Sequence, residues 1–161
     1  MKVELVTKET ERLVIDTMAR LNKNGSEAAR LIDVSAATDV TGFGLLGHAA
    51  EMAGKEKCCT ISLDSKKLPF LPEALDQAAG GILPAGVYKN RSFVGEKVKL
   101  EESVALEITD LMFDPQTSGG LLLAIPEADV AEYLAEMEKR GEQAFVIGEV
   151  TEFKTHPLEV R

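Results

Sequence analysis

At 161 residues, 45% of them apolar, the chain is long enough for one sizeable core and too short for two, so a single domain over 1–161 is expected. A formal net charge of −9 argues against a nucleic-acid surface, which needs clustered Lys and Arg, and implies that any phosphate ligand arrives with a metal. No stretch approaches membrane-spanning length and the first nine residues lack the apolar centre of a signal peptide, so a cytoplasmic protein is expected; with 2 cysteines and 2 histidines, structural zinc is set aside.

Residues 7–23 carry Val14, Met18 and Leu21 at helical spacing, with Thr7 as the cap and Asn24-Gly25 as the stop. A short helix over 26–32 and a strand over 34–40 follow, and residues 44–53 turn helical after a glycine turn. Cys58 and Cys59 open a strand over 58–63 and are read as buried thiols, because adjacent cysteines disfavour a bond to each other. Residues 72–79 form a short helix closed by Gly80-Gly81. Residues 82–94, with Pro84, Gly86, Asn90 and Arg91, show no clear period and read as an ordered loop with room for a short strand. A helix is expected over 100–111. Leu121-Leu122-Leu123-Ala124-Ile125 is apolar at every position, the pattern of a central strand covered on both faces. Pro126 opens a helix whose Val130, Leu134 and Met137 share a face and which stops at Gly141; a strand over 144–150 and an edge strand or fraying end over 158–160 complete a mixed domain of helices packed on a sheet.

Two glycine-flanked polar turns stand out. Thr38-Asp39-Val40-Thr41-Gly42-Phe43-Gly44-Leu45-Leu46-Gly47-His48 runs from a strand end into a helix, and Asp114-Pro115-Gln116-Thr117-Ser118-Gly119-Gly120 precedes the apolar strand. Asp39 is a hard oxygen ligand suited to holding Mg²⁺ against phosphate oxygens, or equally a cap for the helix that follows. Thr38 and Thr41 read first as caps, His48 as a packed or capping histidine, and Phe43 as a core plug. In the second turn, consecutive N–H groups and the Thr117 and Ser118 hydroxyls can form an anion nest, the alternative being a tight turn that merely feeds the strand. Lys89, Asn90 and Arg91 offer further phosphate contacts, although a solvated loop is the commoner reading. The chain has no phosphate-binding loop of the Gly-x-x-x-x-Gly-Lys type, no dinucleotide fingerprint and no nucleophile-base arrangement, so chemistry requires a partner domain.

At these two turns, and from Met18-Ala19-Arg20-Leu21-Asn22 through to Val146-Ile147-Gly148-Glu149-Val150, the chain resembles the C-terminal half of the selenophosphate synthetase (selenide, water dikinase) family. The resemblance implies an α+β, three-layer α/β/α domain with a mixed sheet, like the C-terminal domain of aminoimidazole ribonucleotide synthetase, to whose wider group the family belongs. It implies ATP-dependent conversion of selenide to selenophosphate, with AMP and phosphate as co-products, Mg²⁺ and often K⁺ as cofactors, and subunits that pair as homodimers. It assigns Asp39 to Mg²⁺ and the ATP phosphates, and Thr117, Ser118, Gly119 and Gly120 to a turn facing the same cleft. The family's catalytic residues, its Lys and its glycine-rich nucleotide loop lie in an N-terminal half absent from this chain, which is therefore expected to turn over little alone. The competing expectations are a scaffold that supports folding and dimerisation, and a relative in the same superfamily with another substrate.

Overall fold

In the computed structural model, residues 6–54 and 58–161 are described; the remainder of the segment read above for a signal peptide, residues 1–5, lies outside that range. Thr7 is extended and its hydroxyl accepts the Thr10 N–H at 3.2 Å, so helix α1, Lys8–Ala19, starts on the cap that the sequence predicts. Glu73 reinforces this start from far along the chain, accepting from the Thr7 N–H and from both the Thr7 and Thr10 hydroxyls. The helix ends at Ala19 rather than near Lys23. Asn24-Gly25, expected as its stop, lies instead inside α2, Lys23–Ala29. Gly25 is there for close approach, since a Cβ would sit 3.3 Å from Leu121 Cδ1 and 3.5 Å from the Tyr133 hydroxyl.

Strand β1, Ala36–Asp39, runs into helix α3, Gly44–Met52, and β2, Cys59–Leu63, follows. After α4, Ala74–Ala79, residues expected to be irregular form α5, Gly86–Val94. Its buried stripe is Val87, Asn90 and Val94, and the polar member of that stripe hides the helical period from a reading based on apolar residues. The segment expected as one helix over 100–111 divides into β3, Val98–Leu100, and α6, Leu106–Met112. The chain closes with β4, Leu121–Ala124, α7, Glu127–Lys139, β5, Gly148–Glu152, and β6, Leu158–Val160.

The domain is α+β with a mixed sheet, as expected, but its strands fall into two sheets. The larger has the order β3-β6-β2-β5, with β2 antiparallel to β5 and parallel to β6, and β3 parallel to β6. The smaller is the antiparallel pair β1-β4, in register from Ala36 opposite Ala124 to Asp39 opposite Leu121. The expectation that 121–125 forms the central strand is therefore corrected: β4 has one strand neighbour, and β6 and β2, the latter with Thr60, Ile61, Ser62 and Leu63 all buried, are the interior strands of the larger sheet. The apolar run has a different cause. Leu122 packs into the main core with Leu46, Val87 and Phe113, while Leu123 and Ile125 pack against Ala28, Tyr133 and Met137 beneath α2 and α7. Both faces are covered, but by helices and not by flanking strands.

The thiols are corrected too: Cys58 is exposed and Cys59 half-buried, with the sulfurs 3.8 Å apart. Partial burial pushes the Cys59 thiol above its ordinary value, and the neighbouring Cys58 adds to that direction.

Candidate functional site

The antiparallel β1-β4 pair brings the two polar turns to the same end of the small sheet. Beyond Asp39, the Val40 N–H donates to the Gly120 carbonyl at 2.9 Å, and the Gly119 N–H returns to the Val40 carbonyl at 3.1 Å. The Gln116 N–H donates to the Thr41 carbonyl at 3.0 Å, so the turns form one hydrogen-bonded unit. Their approach leaves no room for side chains. A Cβ at Gly119 would lie 2.2 Å from the Val40 carbonyl oxygen, and one at Gly44, whose φ of +70° itself favours glycine, 2.8 Å from the Phe113 carbonyl carbon.

Asp39 closes the exposed end of β1, and its carboxylate has no hydrogen-bond or ionic partner among the described residues. It does not cap α3: the N-cap position is Phe43, with no side-chain hydrogen bond, so the capping readings of Thr38, Asp39 and Thr41 are all corrected. Thr38 donates to its neighbour's carbonyl at 3.1 Å, and the Thr41 hydroxyl lies 3.1 Å from His48 Nε2. His48 is packed, as expected, 7% exposed and tilted against Phe43 at 5.5 Å, with Nδ1 3.5 Å from the Glu51 carboxylate but outside hydrogen-bond geometry. Phe43 is no core plug. It is 43% exposed and stacks on Phe93 at 5.4 Å, lying across α3 where a Cβ on Gly47 would meet its own Cβ at 2.5 Å.

In the second turn the N–H groups of Gln116 and Gly119 are occupied by the Thr41 and Val40 carbonyls. The expected nest is thereby reduced to the Thr117, Ser118 and Gly120 amides and the Thr117 and Ser118 hydroxyls, which have no partner among the described residues. Asp114 is half-buried, and burial pushes its carboxyl above the ordinary value while the Gln116 amide, donating to it at 2.9 Å, opposes that shift. Of Lys89, Asn90 and Arg91, all on α5, Lys89 is exposed and Arg91 half-buried. Asn90 is turned inward, and Arg91 pairs with the buried Asp110 while its guanidinium lies 5.1 Å from the centre of the Phe113 ring.

Beside Asp39 opens a shallow cleft of about 480 Å³ whose lining includes Asn22, Lys23, Ser26, Thr38 and Leu121. The α2 residues were not foreseen. They stand 13 or more positions from Asp39 in sequence, and what ties them to the site is a long-range bond from the Asn22 amide to the Gly119 carbonyl at 3.1 Å. No group of three or more His, Cys, Asp or Glu side chains able to hold a metal occurs among the described residues. An exposed, unpartnered carboxylate nevertheless matches what Mg²⁺ asks of a protein, one or two carboxylates with the remaining positions filled by phosphate oxygens and water.

This arrangement of helices, mixed sheet and clasped glycine turns belongs to a defined class. The chain is a member of the family described as AIR synthase related protein, C-terminal domain, which it matches over residues 2–160. Within that class it is similar to selenide, water dikinases. It is 39% identical over 160 residues to the selenide, water dikinase of Clostridium botulinum (strain Alaska E43 / Type E3), covering 99% of this chain and 46% of the relative. It is 44% identical over 151 residues to selenide, water dikinase 2 of Peptoclostridium acidaminophilum (93% and 43%), and 41% over 163 residues to the Caldanaerobacter subterraneus enzyme (99% and 46%). The chain thus spans about half the length of the curated relatives it matches, and it corresponds to their C-terminal region. No helix among the described residues is long and apolar enough to cross a membrane.

Proposed function

We propose that this chain is the C-terminal half of an ATP-dependent selenophosphate synthetase, converting selenide, ATP and water to selenophosphate, AMP and phosphate together with an N-terminal half. Asp39 contributes a carboxylate to Mg²⁺ on the nucleotide phosphates. The amides and hydroxyls of Thr117 and Ser118, on the turn that Gly119 and Gly120 complete, face the same phosphates. The observation that carries this reading is the similarity to selenide, water dikinases over 93–99% of the chain. The solvent-facing Asp39 at the junction of the two turns supports it further, because its carboxylate oxygens are open to a metal.

Bound Mg²⁺ supplies neutralisation of the triphosphate charge. Asp39 fixes where that charge sits, and the clasped backbone of 40–44 and 114–120 holds the ligand groups without rearrangement, the condition under which such groups act strongly. The nucleophile and the remaining carboxylates come from the N-terminal half, so the chain alone turns over little. The active unit is a cytoplasmic homodimer that uses K⁺ alongside Mg²⁺ and binds neither nucleic acid nor membrane.

The test is metal binding with the two halves combined. Mn²⁺ substitutes for Mg²⁺ and relaxes water protons, so a titration in the presence of ATP reads the site directly. We expect Asp39→Asn to weaken Mn²⁺ binding on the order of 10-fold or more, the scale of losing one charged ligand. Unchanged binding would transfer the metal role away from this half and favour the scaffold reading.

A further inference from the structure

We propose that Asn90 is a positioning residue, a brace whose side-chain amide sets the separation between the Asp39 turn and the 114–120 turn. The proposal rests on the functional reading above and adds to it a residue that touches no ligand. Asn90 is 7% exposed on the α5 face that otherwise presents Val87 and Val94 to the core. An amide in that position is unfavourable to bury unless it is hydrogen-bonded. Its Nδ2 donates to the Gly42 carbonyl at 2.9 Å, in the first turn, and to the Phe113 carbonyl at 2.9 Å, on the residue that leads into the second. Both partners are acceptors, so only the NH₂ end of the side chain satisfies them.

Gly42 lies three residues beyond Asp39, and Phe113 four before Thr117. The fork therefore acts near the groups proposed to face phosphate. The rest of α5 bears on the same turn. A Cβ on Gly86 would meet the Pro115 ring at 2.3 Å, and Arg91 pairs with Asp110 on α6 while its guanidinium lies over the Phe113 ring. Backbone bonds near the β1-β4 pair zip the turns at Val40, Thr41, Gln116 and Gly119, whereas Asn90 bridges them on the α5 side. An alanine there leaves two carbonyls without their donor, and an aspartate turns an acceptor toward both.

The experiment uses this chain combined with its N-terminal half, comparing Asn90→Ala and Asn90→Asp with Val87→Ala, a neighbouring core truncation. We expect both Asn90 variants to raise the Mg-ATP concentration for half-maximal turnover about 10-fold, since small misplacements of ligand groups are costly. Val87→Ala should lower Tm without moving that concentration. Amide exchange read by mass spectrometry should quicken in peptides covering 40–44 and 113–120 of the Asn90 variants, with 59–63 and 158–160 unchanged. Asn90 variants that behave like Val87→Ala in both readouts would overturn the proposal. Should Asn90→Ala fail to fold, Asn90→Ser, which retains one donor, takes its place with the same expectation. Normal turnover in Asp39→Asn would sink the functional reading instead, and the exchange pattern would still decide the brace.

Discussion

Adjacent glycines in the second turn make a sharp comparison, because Gly119 and Gly120 differ in what a methyl group would meet. In Gly119→Ala the new Cβ would start 2.2 Å from the Val40 carbonyl oxygen and 3.2 Å from Val40 Cβ, so the turn must move by about 1 Å. That movement breaks the Gly119 N–H bond to the same carbonyl and pulls on the Asn22 bond to the Gly119 oxygen. Overpacking costs about 1–3 kcal/mol and the lost hydrogen bond about 1, which gives a destabilisation of about 2–4 kcal/mol. For a domain of this size that lowers Tm by about 4–16 °C. In Gly120→Ala the added Cβ meets nothing within 4 Å, and the change should stay within about 0.5 kcal/mol, or about 2 °C. Thermal melts followed by circular dichroism at matched pH compare the two. Equal shifts, or a larger one for Gly120→Ala, would refute the claim that the turns are clasped at Val40.

Asp39→Asn should separate function from folding: with no partner to lose, its melting free energy changes by no more than about 0.5 kcal/mol, while turnover of the combined halves falls on the order of 10²-fold. Arg91→Ala should cost about 1–3 kcal/mol by stranding the Asp110 carboxylate, less than for a fully buried pair because Arg91 is partly solvated; urea melts of this variant, of Asp110→Asn and of the double variant should show coupling between them. Asp114 supplies a pH test. Burial raises its folded-state pKa above the unfolded one, so the folded protein holds the proton more firmly and stability falls as pH climbs from about 4 through the folded value. Asp114→Asn should therefore raise Tm at pH 7, with the gain vanishing toward pH 3 to 4, as melts across that range would record.

What the sequence makes legible is local. Thr7 as a cap, the glycine turn at the end of a strand and the α7 stop before Gly141 all depend on near neighbours and appear where expected, whereas the buried face of α7 is Tyr133 and Met137, with Val130 and Leu134 only half-buried. The misreadings share a physical origin in distant contacts. Period-based reading cannot see α5 because Asn90, polar for the sake of two far-off carbonyls, interrupts its buried stripe. The run at 121–125 reports coverage of both faces, a property that two helix-lined cores produce as well as two strands do. Phe43 is apolar and flanked by glycines, yet it lies outward on Phe93, 50 positions away. At the candidate site, the position of Asp39 is legible, whereas Asn22 and Ser26 join it only through the packing of α2 on the small sheet.

The most direct measurement of the central claim is phosphorus NMR of Mg-ATP with selenide and a thiol, recorded for this chain alone, for its N-terminal half alone, and for the two combined. Selenophosphate and AMP appearing only in the combination, and falling sharply with Asp39→Asn, is the result the account predicts. A correctly folded combination that consumes ATP without forming selenophosphate, or forms it equally well with Asp39→Asn, would contradict it.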